Sequence, residues 1–214
     1  INGCLYADES LISAYYTGEV DFNTETRQVT LQAKDNSVPV LAVQKLKGEA
    51  EGRAYTIEVP VIIGLNDSKY EKNLNESMMQ NMQKYADDFM AAEKTENGDG
   101  ELHLTVKTGM YNKDFLSIWW EGMKDAVPVK FAKNIDLLGQ KMVTLADMMS
   151  ENSLAKAKSI AGEGWTEDRF YLTEEGGLVL VKGSNENSLN LYYWTTEGEP
   201  PEWKDPYQGL FQKK

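Results

Sequence analysis

The chain is poor in the residues that carry most metal, redox and nucleophilic chemistry. Its 214 residues include one cysteine, Cys4, and one histidine, His103. A single cysteine excludes an internal disulfide and a multi-cysteine metal site, and a single histidine excludes a multi-histidine metal centre. A catalytic Cys/His pair would have to use Cys4, close to the start of the sequence. We therefore expect no metal and no cofactor.

Positive charge is also scarce. Lys and Arg total 22 against 34 Asp and Glu, which gives a net charge of -12. Such a field repels nucleic-acid phosphates and anionic lipid surfaces, so we expect no nucleic-acid partner. The same field would steer a basic protein toward the chain, although acidity more often serves solubility.

Long apolar runs are missing as well. A membrane-spanning helix needs about 18 uninterrupted apolar residues, and the longest candidate, residues 59–65, is broken by Pro60 and Gly64. The sequence therefore predicts no membrane span. It begins with Ile1 rather than Met, which indicates a processed start or a chain boundary. Residues 1–4 loosely resemble the end of a lipoprotein signal, but an ordinary near-terminal thiol is the favoured interpretation.

The sequence does contain enough apolar side chain to fill a core. Hydrophobic residues make up 41% and aromatic residues 10% of the chain, so it is expected to fold, with one domain as the default. Alternating polar and apolar residues predict strands at 26–32, 38–46 and 55–59, with turns at 21–24, 34–37 and 47–52. Pro60 indicates that the last of these strands ends, bulges or lies at a sheet edge.

Residues 68–94 have the pattern of a long amphipathic helix. Ser68 and Glu71 fit a capping box at its start. One stripe at spacings of three and four comprises Tyr70, Leu74, Met78, Met82, Tyr85 and Phe89. The rigid aromatic rings in this stripe favour core packing over an adaptable methionine-rich binding groove.

The remaining residues alternate between strand and helix patterns. Asx-Gly pairs at 97–100 indicate a turn, and Thr144 resembles a helix start. Predicted strands are 102–106, 115–121, 127–135, 169–173, 178–182 and 189–194, and the second helical segment is 144–160 with interruptions at 151–153.

Together these patterns predict an α+β fold. An antiparallel or mixed sheet packs against the long helix and a second, shorter helical segment, after a β-rich N-terminal region. We divide the chain into a β-rich region at 1–54 that belongs to the same unit, an α+β domain at 55–194 and an irregular tail at 195–214.

Candidate catalytic groups lack the context that their chemistry requires. His103 lies opposite the apolar face of its strand, which favours an exposed or hydrogen-bonded structural histidine over a catalytic base. The pairs Glu174 and Glu175, and Glu199 and Glu202, are expected to be solvated in turn or tail sequence, where nothing raises one pKa above the other. The 97–100 turn lacks the bidentate Glu of a calcium loop, and no phosphate-binding glycine motif is present.

Aromatic side chains give the remaining signal. Trp119 and Trp120 are adjacent on a strand and must point to opposite faces. Trp194, Trp203 and Tyr193 cluster toward the end of the sequence and are our candidate ligand-binding residues, because aromatic rings act as protein hot spots and stack on sugars. Ordinary packing is the alternative.

Several segments between residues 55 and 182 carry a family resemblance. They are Pro60-Val61-Ile62-Ile63-Gly64-Leu65 with Asn75 in the following helix, Phe115-Leu116-Ser117-Ile118, Asn134-Ile135-Asp136-Leu137, Val143-Thr144-Leu145-Ala146-Asp147-Met148-Met149, Arg169-Phe170-Tyr171-Leu172-Thr173 and Gly177-Leu178-Val179-Leu180-Val181. In this order they resemble the extracytoplasmic domain of bacterial lysozyme-sensing anti-sigma factors and of the accessory region of a peptidoglycan deacetylase. None is a catalytic motif, and no ligand-contacting residue is carried over.

The resemblance implies an exported or cell-envelope bacterial protein whose domain binds rather than catalyses, with lysozyme as the ligand in the sensing members. We accordingly predict a binding or sensing domain that is not an enzyme, extracellular or in the cell envelope, with a lipid anchor as one option. Its expected ligand is a protein such as lysozyme, or a cell-wall glycan. The alternatives are a glycan hydrolase that uses paired carboxylates, and a purely structural or oligomerisation module.

Overall fold

A computed structural model describes residues 18–23, 28–33, 38–93, 98, 100–182, 191–194 and 200–210. Cys4, the predicted turn at 34–37, two of the four residues of the 97–100 turn and the predicted helix end at Lys94 lie outside the described residues. The strands are β1 (Gly18–Asn23), β2 (Gln28–Ala33), β3 (Val40–Ala50), β4 (Arg53–Ile63), β5 (Glu101–Tyr111), β6 (Phe115–Lys124), β7 (Val127–Asp136), β8 (Lys141–Met142), β9 (Phe170–Leu172), β10 (Leu178–Val181) and β11 (Leu191–Trp194). The helices are α1 (Ser68–Ala91), α2 (Leu145–Met148), α3 (Glu151–Ala161) and a 3₁₀ helix at Tyr207–Leu210.

Three sheets are present in the described part of the chain. The largest is mixed and has the order β3-β4-β5-β6-β7-β8, a second has the order β11-β10-β9, and β1 and β2 form a two-stranded antiparallel sheet. β4 and β5 are the parallel pair, and α1 connects them, because parallel neighbours need a crossover rather than a tight turn. The α+β class and the mixed sheet predicted from the sequence are confirmed.

The hairpin between β3 and β4 is tighter than predicted. Glu51 and Gly52 have φ of 53° and 76°, the left-handed values of a two-residue turn whose twist matches the flanking strands. The predicted turn at 47–52 was therefore too long, and β3 runs on to Ala50. β4 also continues through Pro60 to Ile63, beyond its pairing with β5, which covers Ala54–Ile57.

The start of α1 differs from the predicted capping box. Asp67 is the N-cap, and its carboxylate accepts hydrogen bonds from the backbone N–H groups of Lys69 and Tyr70. Ser68 is already inside the helix. Glu71 instead accepts from the N–H groups of Gly64 and Leu65, at 2.6 and 2.7 Å. The prediction was wrong because a lone sequence match does not show which backbone donors lie within reach.

Asn75 fastens α1 to the stretch of β4 that pairs with β3 but no longer with β5. Its side-chain amide accepts from the N–H of Ile62 and donates to the carbonyl of Ile62, at 2.9 and 2.7 Å. The amide therefore replaces a neighbouring strand where β5 has diverged, and it satisfies backbone groups that would be costly to leave unpaired.

The main core lies between α1 and the six-stranded sheet. The helix contributes Leu74, Met78, Met82, Ala86 and Phe89, all nearly inaccessible to solvent. Trp120 lies beneath them, stacks on Phe131 at 5.3 Å between ring centroids, and donates its indole N–H to the carbonyl of Glu58. Trp119, on the opposite face, stacks on Tyr171 of the second sheet at 4.2 Å, as strand alternation predicted.

A second core joins the three-stranded sheet to the short helices and to residues 200–210. Its larger members are Met110, Phe115, Leu145, Met148, Met149, Trp165, Phe170, Leu172, Leu178, Leu180, Trp194 and Tyr207. Gly109 permits the contact between the six-stranded and three-stranded sheets, because a Cβ at this position would lie 1.8 Å from the carbonyl oxygen of Leu172.

Two side chains of the large sheet complete the exposed edge of β9. Asn134 donates to the carbonyl of Phe170 at 2.7 Å, and Ser117 accepts from the N–H of Leu172 at 2.8 Å while its hydroxyl donates to Asn134 at 2.7 Å. Both side chains are buried. The motif positions Ser117 and Asn134 thus have an architectural role, since they supply the hydrogen bonds that an adjacent strand would otherwise make.

The second helical segment is interrupted at Met149 and Ser150 rather than at 151–153, because α2 ends at Met148 and Ser150 caps α3. Residues 200–210, here called the C-terminal segment, pack against this region, which corrects the expectation of a tail without packed elements. Trp203 forms a β-bridge with Met149, and the buried Tyr207 donates to Asp136 at 2.9 Å. The division of the chain at residues 54 and 194 stays a prediction. None of the described helices is long and apolar enough to cross a membrane.

Candidate functional site

One cleft of about 410 Å³ opens between the start of α3 and the C-terminal segment. We call it the Trp194 cleft. Its lining residues are Asn152, Ser153, Lys156, Trp194, Pro200 and Glu202. It combines the small exposed part of an indole with amide, hydroxyl, ammonium and carboxylate groups, a composition that suits recognition of a small polar ligand.

The polar groups of the Trp194 cleft are held in place. Ser150 donates its hydroxyl to Glu202 at 2.9 Å, and the hydroxyl of Ser153 accepts from the N–H of Glu202 at 2.9 Å. The Lys156 ammonium lies 5.4 Å from the centre of the Trp194 ring, within the range of a cation–π interaction. The two hydrogen bonds to Glu202 fix the C-terminal segment against the start of α3.

The three predicted binding residues do not share one surface. Trp194 lines the cleft but is 6% exposed, so it offers a ligand a small part of its ring. Trp203 is half-buried against the second core. Tyr193 is 57% exposed and faces the other side of β11, where its side chain hydrogen-bonds to Tyr171.

The side of the sheet that Tyr193 faces holds a buried cation. Lys130 is 9% exposed, pairs with Glu121 at 3.1 Å and lies 5.3 Å from the centre of the Tyr171 ring. Burial, followed by the neighbouring Tyr193, raises the pKa of Tyr171 above its ordinary value. This cluster fastens the three-stranded sheet to the large one.

Sequence reasoning missed Asn152, Lys156 and Glu202 as a group. Lys156 follows Asn152 by four residues, so both lie on one face of a helix, a spacing that a helical wheel reveals. The approach of Glu202 depends on the path of the C-terminal segment and has no local signal. Glu199, the other member of the carboxylate pair considered in the sequence, is outside the described residues.

A second cleft, of about 420 Å³, lies at the end of the large sheet beside the start of α1. We call it the sheet-end cleft. It is lined by Pro39, Gly64, Leu65, Asn66, Asp67, Tyr70, Lys113, Asp114, Leu137, Leu138 and Gln140. Tyr70 is half-buried, and its burial together with the charge of Asp136 raises the pKa of its hydroxyl.

The sheet-end cleft holds two carboxylates, Asp67 and Asp114, and the hydrolase alternative would require such a pair to act as acid and base. The backbone N–H of Tyr70 and the amide of Gln140 hold the pKa of Asp67 below its usual range. An acid/base pair needs one carboxyl whose pKa is raised so that it can donate a proton. Asp67 is shifted in the opposite direction and acts as the helix cap.

Two further kinds of chemistry were considered in the sequence, a histidine base and a metal site. His103 is exposed, as expected. Within the described ranges, no three or more His, Cys, Asp or Glu side chains come together in a way that could hold a metal ion.

Comparisons with known proteins found similar solved structures but no matching family. No protein-family model matches the chain, and no curated protein matches it. One similar solved structure is a DUF3298 family member from Bacteroides fragilis NCTC 9343, 13% identical, with a TM-score of 0.44 over 74% of this chain and 90% of that one. Another is a DUF3298 family protein from Pseudomonas aeruginosa PAO1, 16% identical, with a TM-score of 0.43 over 72% of this chain and 88% of that one.

Proposed function

We propose that this protein is a binding domain of the bacterial cell envelope that takes a cell-wall glycan in the Trp194 cleft and does not transform it. The observation that carries the proposal is the convergence of Asn152, Lys156 and Glu202 beside the indole of Trp194. Sugars present apolar C–H groups next to hydroxyls, so they need an aromatic contact flanked by hydrogen-bonding groups.

The side chains of the cleft are already ordered, which supports binding without large rearrangement. Glu202 is held by Ser150 and Ser153, and Lys156 rests over Trp194. Side chains that are ordered before the ligand arrives reduce the entropy lost on binding. Among the residues that the structure describes, Glu202 supplies the carboxylate of this cleft, whereas glycoside hydrolysis uses two carboxyl groups on either side of the bond.

The envelope location and the sensing role rest on the family resemblance of the 55–182 segments. Lysozyme is the ligand implied for the sensing members, and the net charge of -12 would attract a basic protein of that kind. We favour the glycan because a cleft of about 410 Å³ has the size of a small-molecule site.

Calorimetric titration of the protein with purified muropeptides tests the proposal, and a parallel titration uses lysozyme. We expect muropeptides to bind, and Lys156→Met to weaken that binding, because the ammonium leaves the cleft. The matched control is Lys72→Met, which removes an exposed lysine from the surface of α1.

Silence from both ligands at high micromolar concentration would remove the sensing proposal. Binding of lysozyme without muropeptides would replace the glycan with a protein ligand. Chromatography of muropeptides after long incubation tests the absence of catalysis, and release of shorter glycans would favour the hydrolase alternative.

A further inference from the structure

We infer that the sheet-end cleft is a docking site for a protein segment that presents a lysine or arginine next to an apolar side chain. The site is distinct from the Trp194 cleft and shares none of its lining residues. Three properties of the sheet-end cleft carry the inference: a fixed apolar tip, a pair of carboxylates and an apolar wall.

The apolar tip is Leu138, which is 74% exposed and lies in the turn between β7 and β8. A partner that covers Leu138 would remove this apolar surface from water, which favours association. Among the exposed large apolar side chains of the described residues, Leu138 has the greatest exposed fraction.

The turn that carries Leu138 is rigid. The buried carboxylate of Asp136 accepts from the N–H of Gly139 at 2.6 Å and from the hydroxyl of Tyr207 at 2.9 Å. A Cβ at Gly139 would lie 2.4 Å from that carboxylate, so the turn closes tightly over it. A partner that contacts Leu138 would therefore lose little entropy in ordering the tip.

The carboxylates are Asp67 and Asp114. Asp67 remains ionised because hydrogen bonds from the helix start and from Gln140 lower its pKa. Its carboxylate also accepts from the N–H groups of Lys69 and Tyr70, so these groups at the start of α1 need no bound anion. Among the described residues, neither carboxylate has an ion pair within 4.0 Å, although Lys113 also lines the cleft.

A cationic side chain with an aliphatic stem fits these surroundings. Its charged group would pair with Asp114 and Asp67, and its methylene groups would cover the half-buried Leu65. An apolar neighbour in the partner would then reach Leu138. The net charge of -12 adds long-range attraction for a basic segment.

A displayed library of random linear peptides, selected on the full chain, tests the inference. The library is first depleted on the variant Leu138→Ser/Asp114→Asn, which retains nearly all of the negative charge and so removes peptides attracted by charge alone. We expect the enriched peptides to carry a lysine or arginine beside an apolar residue.

Affinities of the enriched peptides then separate the two contributions. We expect Leu138→Ser to weaken binding about tenfold and Asp114→Asn about fivefold. We also expect binding to weaken between about 50 and about 500 mM salt. Met123→Ser is the matched control, because it removes an exposed apolar side chain from the far end of β6 and should leave affinity unchanged.

The inference is overturned if no peptide is enriched, if the enriched peptides lack the basic and apolar pair, or if they bind both single variants as tightly as the wild type. Thermal unfolding of each variant verifies that Leu138→Ser and Asp114→Asn remain folded. Because the muropeptide titration uses a different cleft, its failure leaves this test unaffected.

Discussion

Replacing Asn134 with leucine should weaken the contact between the six-stranded sheet and the three-stranded sheet. Leucine has nearly the shape of asparagine but cannot hydrogen-bond. The carbonyl of Phe170 and the hydroxyl of Ser117 would each lose a partner in a buried environment. An unsatisfied buried polar group costs about 1–3 kcal/mol, so we expect a loss of about 4 kcal/mol.

That loss is large beside the total stability of a domain, which is about 5–15 kcal/mol. For a chain of this length it corresponds to a fall in melting temperature of roughly 8–16 °C. Equilibrium unfolding in urea, followed by tryptophan fluorescence, measures the free energy of unfolding. Asn73→Leu on the exposed side of α1 is the matched control and should change that energy by no more than about 0.5 kcal/mol.

A double-mutant cycle tests whether Ser117 and Asn134 act together. Ser117→Ala leaves the N–H of Leu172 unpaired, and hydrogen exchange at that amide should accelerate. The cycle with Asn134→Leu should give a coupling energy of about 0.5–3 kcal/mol. A loss below about 1 kcal/mol for Asn134→Leu, together with additive effects in the cycle, would refute the role assigned to this pair.

Three further predictions concern stability. Gly109→Ala should lower the free energy of unfolding by about 2–3 kcal/mol in urea, because the new Cβ meets the backbone oxygen of Leu172, whereas Gly209→Ala, with open space around it, should have little effect. Met82→Asp places a charge in the main core and should abolish cooperative thermal unfolding; an unchanged melting temperature would show that this residue is not packed as described. A hydrogen bond from the Thr144 backbone holds the pKa of Asp147 below its usual 3.8, so the stability that the ionised carboxylate contributes is present above pH 3.8 and is lost as the pH falls through the lowered pKa. Asp147→Asn should therefore flatten the dependence of the unfolding free energy on pH in that acid range. An unchanged slope would contradict the role of this hydrogen bond.

The sequence predicted secondary structure well where one element has its own periodicity. Alternation indicated β3, β4 and β5, and strand geometry alone required Trp119 and Trp120 to face different layers. The helix ends were less predictable. Several acceptors near the start of α1 can cap it, and the structure uses Asp67, which frees Glu71 to hold the backbone before the helix.

The candidate sites were only partly accessible to such reasoning. We grouped Trp194, Trp203 and Tyr193 as one binding surface because they lie close together in the sequence. Tyr193 and Trp194 are neighbours on one strand, however, so their side chains point to opposite faces and do not share a surface. Glu202 reaches the Trp194 cleft because the C-terminal segment returns across α3. No local pattern indicates that return.

The sequence by itself determined the class of the fold, the scarcity of metal-binding residues and the strong negative charge, because composition and periodicity are properties of the chain alone. The tertiary structure decided which polar side chains serve the fold and which line a cleft. Asn75, Ser117 and Asn134 complete the hydrogen bonding of strand edges, whereas Lys156 and Asp114 face open clefts. That distinction depends on which backbone groups lack partners after the sheets have packed, a property that exists only in the folded molecule.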